Sequence, residues 1–265
     1  MEKRHRSFDA VGDIALVRLP DTVGSRMKKR VALEIMSMNK NIKSVYNRVG
    51  KTSGEERVAK LRYVSGRRGT VTVHRENGCL FYVDVRRVYF SPRLSNERAR
   101  ITGQIKTGEN ILDMFCGVGP YTIEASKKAG SVYAIDKNRK AIDLLKKNVK
   151  INKAYNVEYA CGDARRIVPK LDGEFDRIIM NFPMDAKSFL KQALGSAAKR
   201  AVVHLYAFAK RGGEDELAVK KMIRSYSDRD LTVTSIKSYR TGEVAPFVDR
   251  LCFDIRVRRK PHSAR

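Results

Sequence analysis

Acidic residues are what this chain has little of. Only 29 of its 265 residues are Asp or Glu, against 55 Lys or Arg, and the formal charge is +26 at pH 7. An excess this large speeds association with polyanions and favours phosphate contacts. It points to nucleic acid as the partner; solubility, or adaptation to an unusual habitat, is the blander account of the same number. No strongly amphipathic basic helix stands apart from the rest, so a membrane surface is not the expected partner. Cysteine is also scarce. Cys79, Cys116, Cys161 and Cys252 lack the spacing of zinc ligands and are too few for a disulfide framework, which suits a reducing compartment. No apolar run approaches the roughly 18 residues needed to span a bilayer. The N-terminus carries basic residues without an apolar stretch behind them, so no secretory signal is expected and the protein reads as cytoplasmic. There is no internal repeat and no low-complexity segment.

What is present falls into two parts. Residues 8–19 hold a short apolar run that reads as a strand. Residues 22–40 place Met27, Val31, Ile35 and Met38 at helical spacing. Strand-like runs follow at 44–49, 62–66, 69–77 and 79–85, punctuated by Gly and Asn. One helix among clustered strands predicts a small α+β module over residues 1–90. From residue 110 strands and helices alternate. Strands are predicted at 110–115, 131–136, 157–163, 177–182 and 200–209, and helices at 120–129, 139–153, 186–197 and 213–227. Two closing strands, 231–240 and 248–257, can pair antiparallel at the sheet edge. Residues 91–265 therefore read as an α/β domain with a parallel sheet covered on both faces.

The chemistry concentrates at the strand ends of this second part. "ILDMFCGVGPYT" (111–122) is a strand, a glycine turn and a helix. Gly117 and Gly119 let a ligand approach the backbone. Thr122 occupies the third glycine position of the dinucleotide fingerprint, so that motif is not matched. Asp113 stands at the end of the strand, at the expected crevice. Asp136 ends the next strand, about 20 residues further on, where a carboxylate suits a ribose diol. Asp163 ends the third and suits an adenine edge. Either of the last two, taken alone, is equally an N-cap. The fourth strand leaves the core on Asn181, Phe182 and Pro183, an odd exit that presents an amide to something.

Three acids at three successive strand ends, with a glycine turn at the first, resemble the S-adenosylmethionine-binding domain of Rossmann-like class I methyltransferases over residues 110–190. "NFPM" (181–184) partly resembles the Asn-Pro-Pro-Tyr motif of amino-methylating enzymes, with Phe182 at the second position and no aromatic at the fourth. "VYFSPRLSNERARI" (88–101) resembles the signature of the archaeal and eukaryotic tRNA guanine-37-N1 methyltransferases. "IIMNFPMDAKSFL", "VAPFVDRLCFDIRV" and "NRVGKTSGEERVAKLRYVSG" extend that resemblance over nearly the whole chain. The family often carries a further small N-terminal domain that grips the outer corner of tRNA, and this chain begins directly at the family's middle domain.

The resemblance implies S-adenosylmethionine as cofactor, no metal, and the anticodon stem-loop of tRNA with its guanosine 37 as partner, for a monomer. It implies Glu97 as general base, Arg57 as the group that binds guanine O6, and Asn181 and Pro183 as placing the guanine. It implies Arg93, Asp113, Phe115, Gly117, Gly119, Asp136, Lys137, Gly162, Asp163, Ala164 and Asn181 around the cofactor. Glu97 taken alone reads as a capping residue or a surface ion pair with Arg93 or Arg100. Two alternatives stand beside this reading. The related wybutosine-pathway aminocarboxypropyl transferases bind the same cofactor but tend to lack the "PRLSNER" and "NFP" segments. A non-catalytic RNA-binding protein with a decayed cofactor fold would carry the same charge, but Asp113, Asp136, Asp163 and the glycine turn are intact.

Overall fold

The computed structural model describes residues 7–53 and 58–259, which divide into two compact units. The first comprises residues up to 99 together with 117–120 and 138–153; the second comprises 100–116, 121–137 and the chain from 154 onward.

In the first unit, β1 (Phe8–Val11) and β2 (Ile14–Val17) form a hairpin, α1 (Ser25–Met38) follows, and β3 (Ser44–Ser53) returns parallel to β2. β4 (Val58–Gly66) closes this sheet antiparallel to β3. The single strand expected over 8–19 is thus two. Gly12 breaks it: its φ is +54, its N–H donates to His74 Nδ1, and a Cβ there would lie 2.1 Å from Thr72 Oγ1. Only glycine fits both the backbone and the space. Helix α1 has no side-chain N-cap and is held by packing, with Ala32 and Ile35 buried against Ala15, Val17, Leu19 and Val45.

A second hairpin pairs β5 (Val71–Glu76) with β6 (Cys79–Asp84). Asn77 and Gly78 turn it with φ +46 and +71, the two left-handed residues that suit the twist of a two-residue hairpin. The free edge of β6 is covered by side chains rather than by a strand. Asn148 on α4 (Arg139–Ile151) accepts from Tyr82 N at 2.7 Å and donates to Tyr82 O at 3.3 Å. Asn152, one turn later, does the same for Leu80 at 2.9 and 2.6 Å. Residues four apart share a helix face, so two carboxamides mimic one more strand.

The second unit is a seven-stranded sheet of order β12-β13-β11-β10-β7-β8-β9. Its strands are β7 (Asn110–Asp113), β8 (Ser131–Asp136), β9 (Val157–Cys161), β10 (Phe175–Met180), β11 (Ala197–Lys210), β12 (Leu231–Ala245) and β13 (Val248–Arg259). The first five run parallel, and β13 pairs antiparallel with both β11 and β12. The expected antiparallel edge is therefore present. The helices that follow in sequence are α3 (Pro120–Ser126), α5 (Ala164–Ile167), α6 (Leu190–Gly195) and α7 (Glu214–Arg224), with α4, between β8 and β9 in the chain, belonging to the first unit. The helix expected over 186–197 is shorter: a 3-10 turn at 186–189 precedes α6, and Ala197 already belongs to β11. The chain runs outward through β7, β8 and β9, then returns to β10 and β11 on the other side of β7. That places the topological switch point between β7 and β10, where open α/β sheets bind ligands.

This sheet also buries a line of charges. Arg177 pairs with Glu109 at 2.8 Å and donates Nη1–H to His204 Nε2 at 2.8 Å. A guanidinium can only donate, so His204 carries its proton on Nδ1 and gives it to Asp254 at 2.7 Å. Asp254 is also bound by Arg100 at 2.8 Å. Burial lowers the basicity of His204. Burial pushes the Asp254 carboxyl up, but the bonds from His204 and Arg100 outweigh it and hold the group well below the usual carboxylate range. His204, Cys252 and Asp254 have metal-ligand chemistry within 4.8 Å. Two guanidinium groups already occupy that trio, which makes it a poor cation site.

Candidate active site

Asp113 ends β7 fully buried. Its Oδ2 accepts from Thr122 Oγ1 at 2.8 Å, while its Oδ1 has no partner. Burial, offset in part by the Thr122 hydrogen bond, raises its pKa to about 7. Beyond it the chain keeps sheet-like bonds, from Met114 N to Ile179 O and from Cys116 N to Ile135 O. These carry Phe115 outward, where its ring packs on Phe182 (5.1 Å) and edge-on against Phe189 (4.9 Å).

Asp136 ends β8 half-buried, followed by exposed Lys137. It does not cap the next helix. Asn138 does, accepting from Lys140 N and Ala141 N. Asp136 O receives Gly162 N–H at 3.0 Å. A Cβ on Gly162 would meet Ile167 Cδ1 at 2.9 Å, so that glycine serves close packing. β9 stops at Cys161, before the predicted end, because Asp163 caps α5 through Arg165 N and pairs with the Arg165 side chain at 2.6 Å. The Arg165 hydrogen bond lowers the Asp163 pKa. Ala164 is buried behind it.

The exit from β10 explains its odd composition. Phe182 N–H bonds back to Met180 O at 2.9 Å, making a three-residue turn centred on Asn181. The Phe182 ring returns to the apolar cluster around Phe115 and Phe189. Pro183 is buried and Met184 is 66% exposed. Asn181 is left with a buried Oδ1 that has no hydrogen-bond partner. Register aligns Ile179 with Asp113, so the two orphan acceptors stand at neighbouring strand ends across the switch point. A buried acceptor without a donor costs about 1–3 kcal/mol. Two such costs at one place single out these strand ends as the candidate ligand site.

In the first unit, Gly117 and Gly119 turn the chain with φ +56 and +85. A Cβ on Gly117 would touch only Tyr89 O, at 3.9 Å, so backbone conformation is what requires glycine there. Asn148 Nδ2 donates to Val118 O between them at 2.8 Å. Glu97 lies in the first turn of α2 (Ser95–Gly103), which follows a 3-10 turn at Pro92–Leu94. It is only 8% exposed, which removes the surface reading of this residue. The turn that carries it is fixed by Arg98, fully buried, whose guanidinium grips Glu76 with both arms and Ser91 O at 3.0 Å. Arg93 points to solvent and pairs with Asp9 at 2.6 Å; Asp9 also holds Arg48 at 2.8 Å. Arg57 lies outside the described residues.

Sequence reasoning missed Thr122, Arg98 and Asn148, which position Asp113, the Glu97 turn and the glycine turn. Thr122 was visible only as a departure from another motif. Arg98 stood beside Glu97 but looked like one basic residue among 55. Asn148 had a usable signal: an amide four residues before Asn152 on the apolar side of a helix.

These strand ends fit the cofactor that the sequence implies: Asp113 and Asn181 offer buried acceptors and Asp136 a strand-end carboxylate. The family model described as the TRM5/TYW2 methyltransferase domain matches residues 72–233, and that of the TYW2 N-terminal domain matches residues 1–69. The chain is 38% identical over 245 residues to the tRNA (guanine(37)-N(1))-methyltransferase Trm5b of Pyrococcus abyssi, covering 86% of this chain and 73% of that protein. It is 33% identical to the tRNA 4-demethylwyosine(37)-methyltransferase Taw21 of Saccharolobus solfataricus, covering 84% of this chain and 87% of that one. A solved complex of aTrm5 and tRNALeu superposes with a TM-score of 0.83 at 33% identity, covering 95% of this chain and 72% of that chain. With a methyltransferase model spanning more than half of its residues, the chain belongs to the TRM5/TYW2 methyltransferase family.

Proposed function

We propose that this protein methylates N1 of guanosine 37 in tRNA, with S-adenosylmethionine as donor. The observation that carries the reading is the orphaned Oδ1 of Asn181 beside that of Asp113. Asn181 accepts a hydrogen bond from an N–H of the guanine and fixes the ring, while Phe182 and Pro183 hold the amide in place. The bound sulfonium supplies an electrophilic methyl group. Asp113, Asp136, Asp163 and the backbone of the glycine turn hold its carrier, together with Phe115, Lys137, Gly162, Ala164 and Arg93. N1 of guanine is a weak nucleophile while protonated. Glu97 accepts that proton as the N1–carbon bond forms and the carbon–sulfur bond breaks. Arg57 receives the charge that builds on O6. The module of residues 1–90 takes the RNA, and residues 91–265 perform the transfer. The protein acts as a monomer in the cytoplasm, where its four free cysteines stay reduced.

Mass spectrometry of nucleosides tests this, after a tRNA transcript is incubated with the protein and labelled donor. Label in N1-methylguanosine at position 37 is expected. Inosine 37, which keeps N1 and O6, should react; adenosine 37 should not. Label elsewhere, or none, overturns the reading. A second substrate rests on the likeness to Taw21, which extends over most of both chains. A tRNA carrying 4-demethylwyosine at position 37 should then also gain a methyl group in the same assay.

A further inference from the structure

The β12–β13 hairpin ends on a residue that folding by itself disfavours. Phe247, at its tip, is 73% exposed and has φ +61. Glycine or asparagine takes that backbone conformation more readily than an aromatic residue does. Among the described residues only Asn77, Lys153 and Phe247 combine a side chain with positive φ. Asn77 and Phe247 both lie in two-residue hairpin turns, which call for positive φ; the turn accounts for the backbone at Phe247 but not for a large exposed aromatic side chain at that position. An exposed ring held in a strained turn points to contact with something outside the chain.

Register locates that contact. Leu205 on β11 lies level with Met180, the last residue of β10. β11 continues five residues further, to Lys210, which pairs with Val248 at the hairpin tip. The tip therefore stands about 16 Å beyond the end of β10, at the same end of the sheet as Asp113 and Asn181. It is tied down. Arg211 N–H donates to Phe247 O at 2.9 Å, and the Arg211 side chain bonds Asp249 and Glu243. Arg240 pairs with Asp249 at 2.8 Å. Arg211, Ser238, Arg240 and Asp249 also line a cavity of about 380 Å³, room enough for the edge of a base.

We propose that Phe247 is a stacking platform for an unpaired base of the RNA, in the same loop as the nucleotide that Asn181 receives. This rests on the tRNA reading above and deepens it. One exposed ring with Val244 beside it is too small an apolar patch for a protein interface. A π-face on a strongly cationic protein suits a nucleobase. About 16 Å corresponds to roughly five stacked steps of 3.4 Å, a span within one RNA loop. Because the tip is already fixed, stacking on it carries little ordering cost.

Phe247→Gly tests the proposal, since glycine removes the ring and relieves the backbone. The variant should melt at the parent temperature or above and keep its S-adenosylmethionine affinity. Its tRNA dissociation constant should rise about 5- to 100-fold, while the single-turnover rate at saturating tRNA stays within about twofold. Phe247→Trp should restore tRNA affinity. An unchanged tRNA dissociation constant in a folded Phe247→Gly protein overturns the proposal. So does a change confined to sedimentation mass, which would make the tip a contact between two copies of the chain. If the parent itself neither binds nor methylates tRNA, the proposed function fails first and this inference falls with it.

Discussion

Asp113→Asn should stabilise the ligand-free protein at neutral pH and leave it unaltered near pH 4. Asp113 is fully buried, and its pKa is raised from 3.8 to about 7, chiefly by that burial. In the unfolded chain the group ionises near the lower value. Between the two values the unfolded chain has lost a proton that the folded one keeps. Stability is therefore fully present below about pH 4, is lost as pH rises to about 7, and is flat above. Roughly three units at 1.36 kcal/mol each set the loss at up to about 4 kcal/mol. Asn keeps an oxygen for Thr122 and carries no charge to bury. The difference in stability between variant and parent should grow from near zero at pH 4 to about 4 kcal/mol at pH 8, or about 8–16 °C in melting temperature. Thermal melts of both proteins across that range measure it, and titrations common to both cancel. A difference independent of pH would refute the reasoning, because it would mean that the carboxylate ionises in the fold as it does in water. The stabilised variant should meanwhile lose affinity for S-adenosylmethionine, since a neutral amide is a weaker acceptor for a charged donor.

Glu97→Gln should lower the single-turnover rate by about 10²–10⁴ with the tRNA dissociation constant unchanged, since only the transition state uses the basicity; a near-parental rate places the base elsewhere. Asp136→Ala should weaken S-adenosylmethionine binding more than tenfold, consistent with about 1.5–3 kcal/mol for a lost charged acceptor, and unchanged calorimetric affinity would remove that residue from the site. Asn148→Ala strips partners from Tyr82 N, Tyr82 O and Val118 O and should cost about 2–4 kcal/mol of stability in urea titration, more than Asn152→Ala, because Asn148 is fully buried and Asn152 only half-buried. The logarithm of tRNA affinity should fall steeply with the logarithm of salt concentration; a slope near zero would show that the +26 charge is not the RNA footprint.

The sequence alone determined the alternation of strands and helices from residue 110, the antiparallel closing pair and the acids at two strand ends and just beyond a third. Each of these is written in local periodicity and in residues that punctuate it, which a chain carries before it folds. It also showed that Asn181 leaves the core oddly. Only the tertiary structure decided what the amide lacks, because an orphan acceptor is defined by every neighbour that does not reach it. The same holds for the protonation of Asp113, which depends on how much water the whole unit excludes. The choice of cap separated two identical-looking acids: Asn138 relieves Asp136 of that task, while Asp163 takes it on. Asn148, Arg98 and Thr122 looked like ordinary polar residues in the sequence. Their partners Tyr82, Glu76 and Asp113 lie 66, 22 and 9 residues away, and no local pattern encodes a pairing that only the closed fold brings within hydrogen-bond reach.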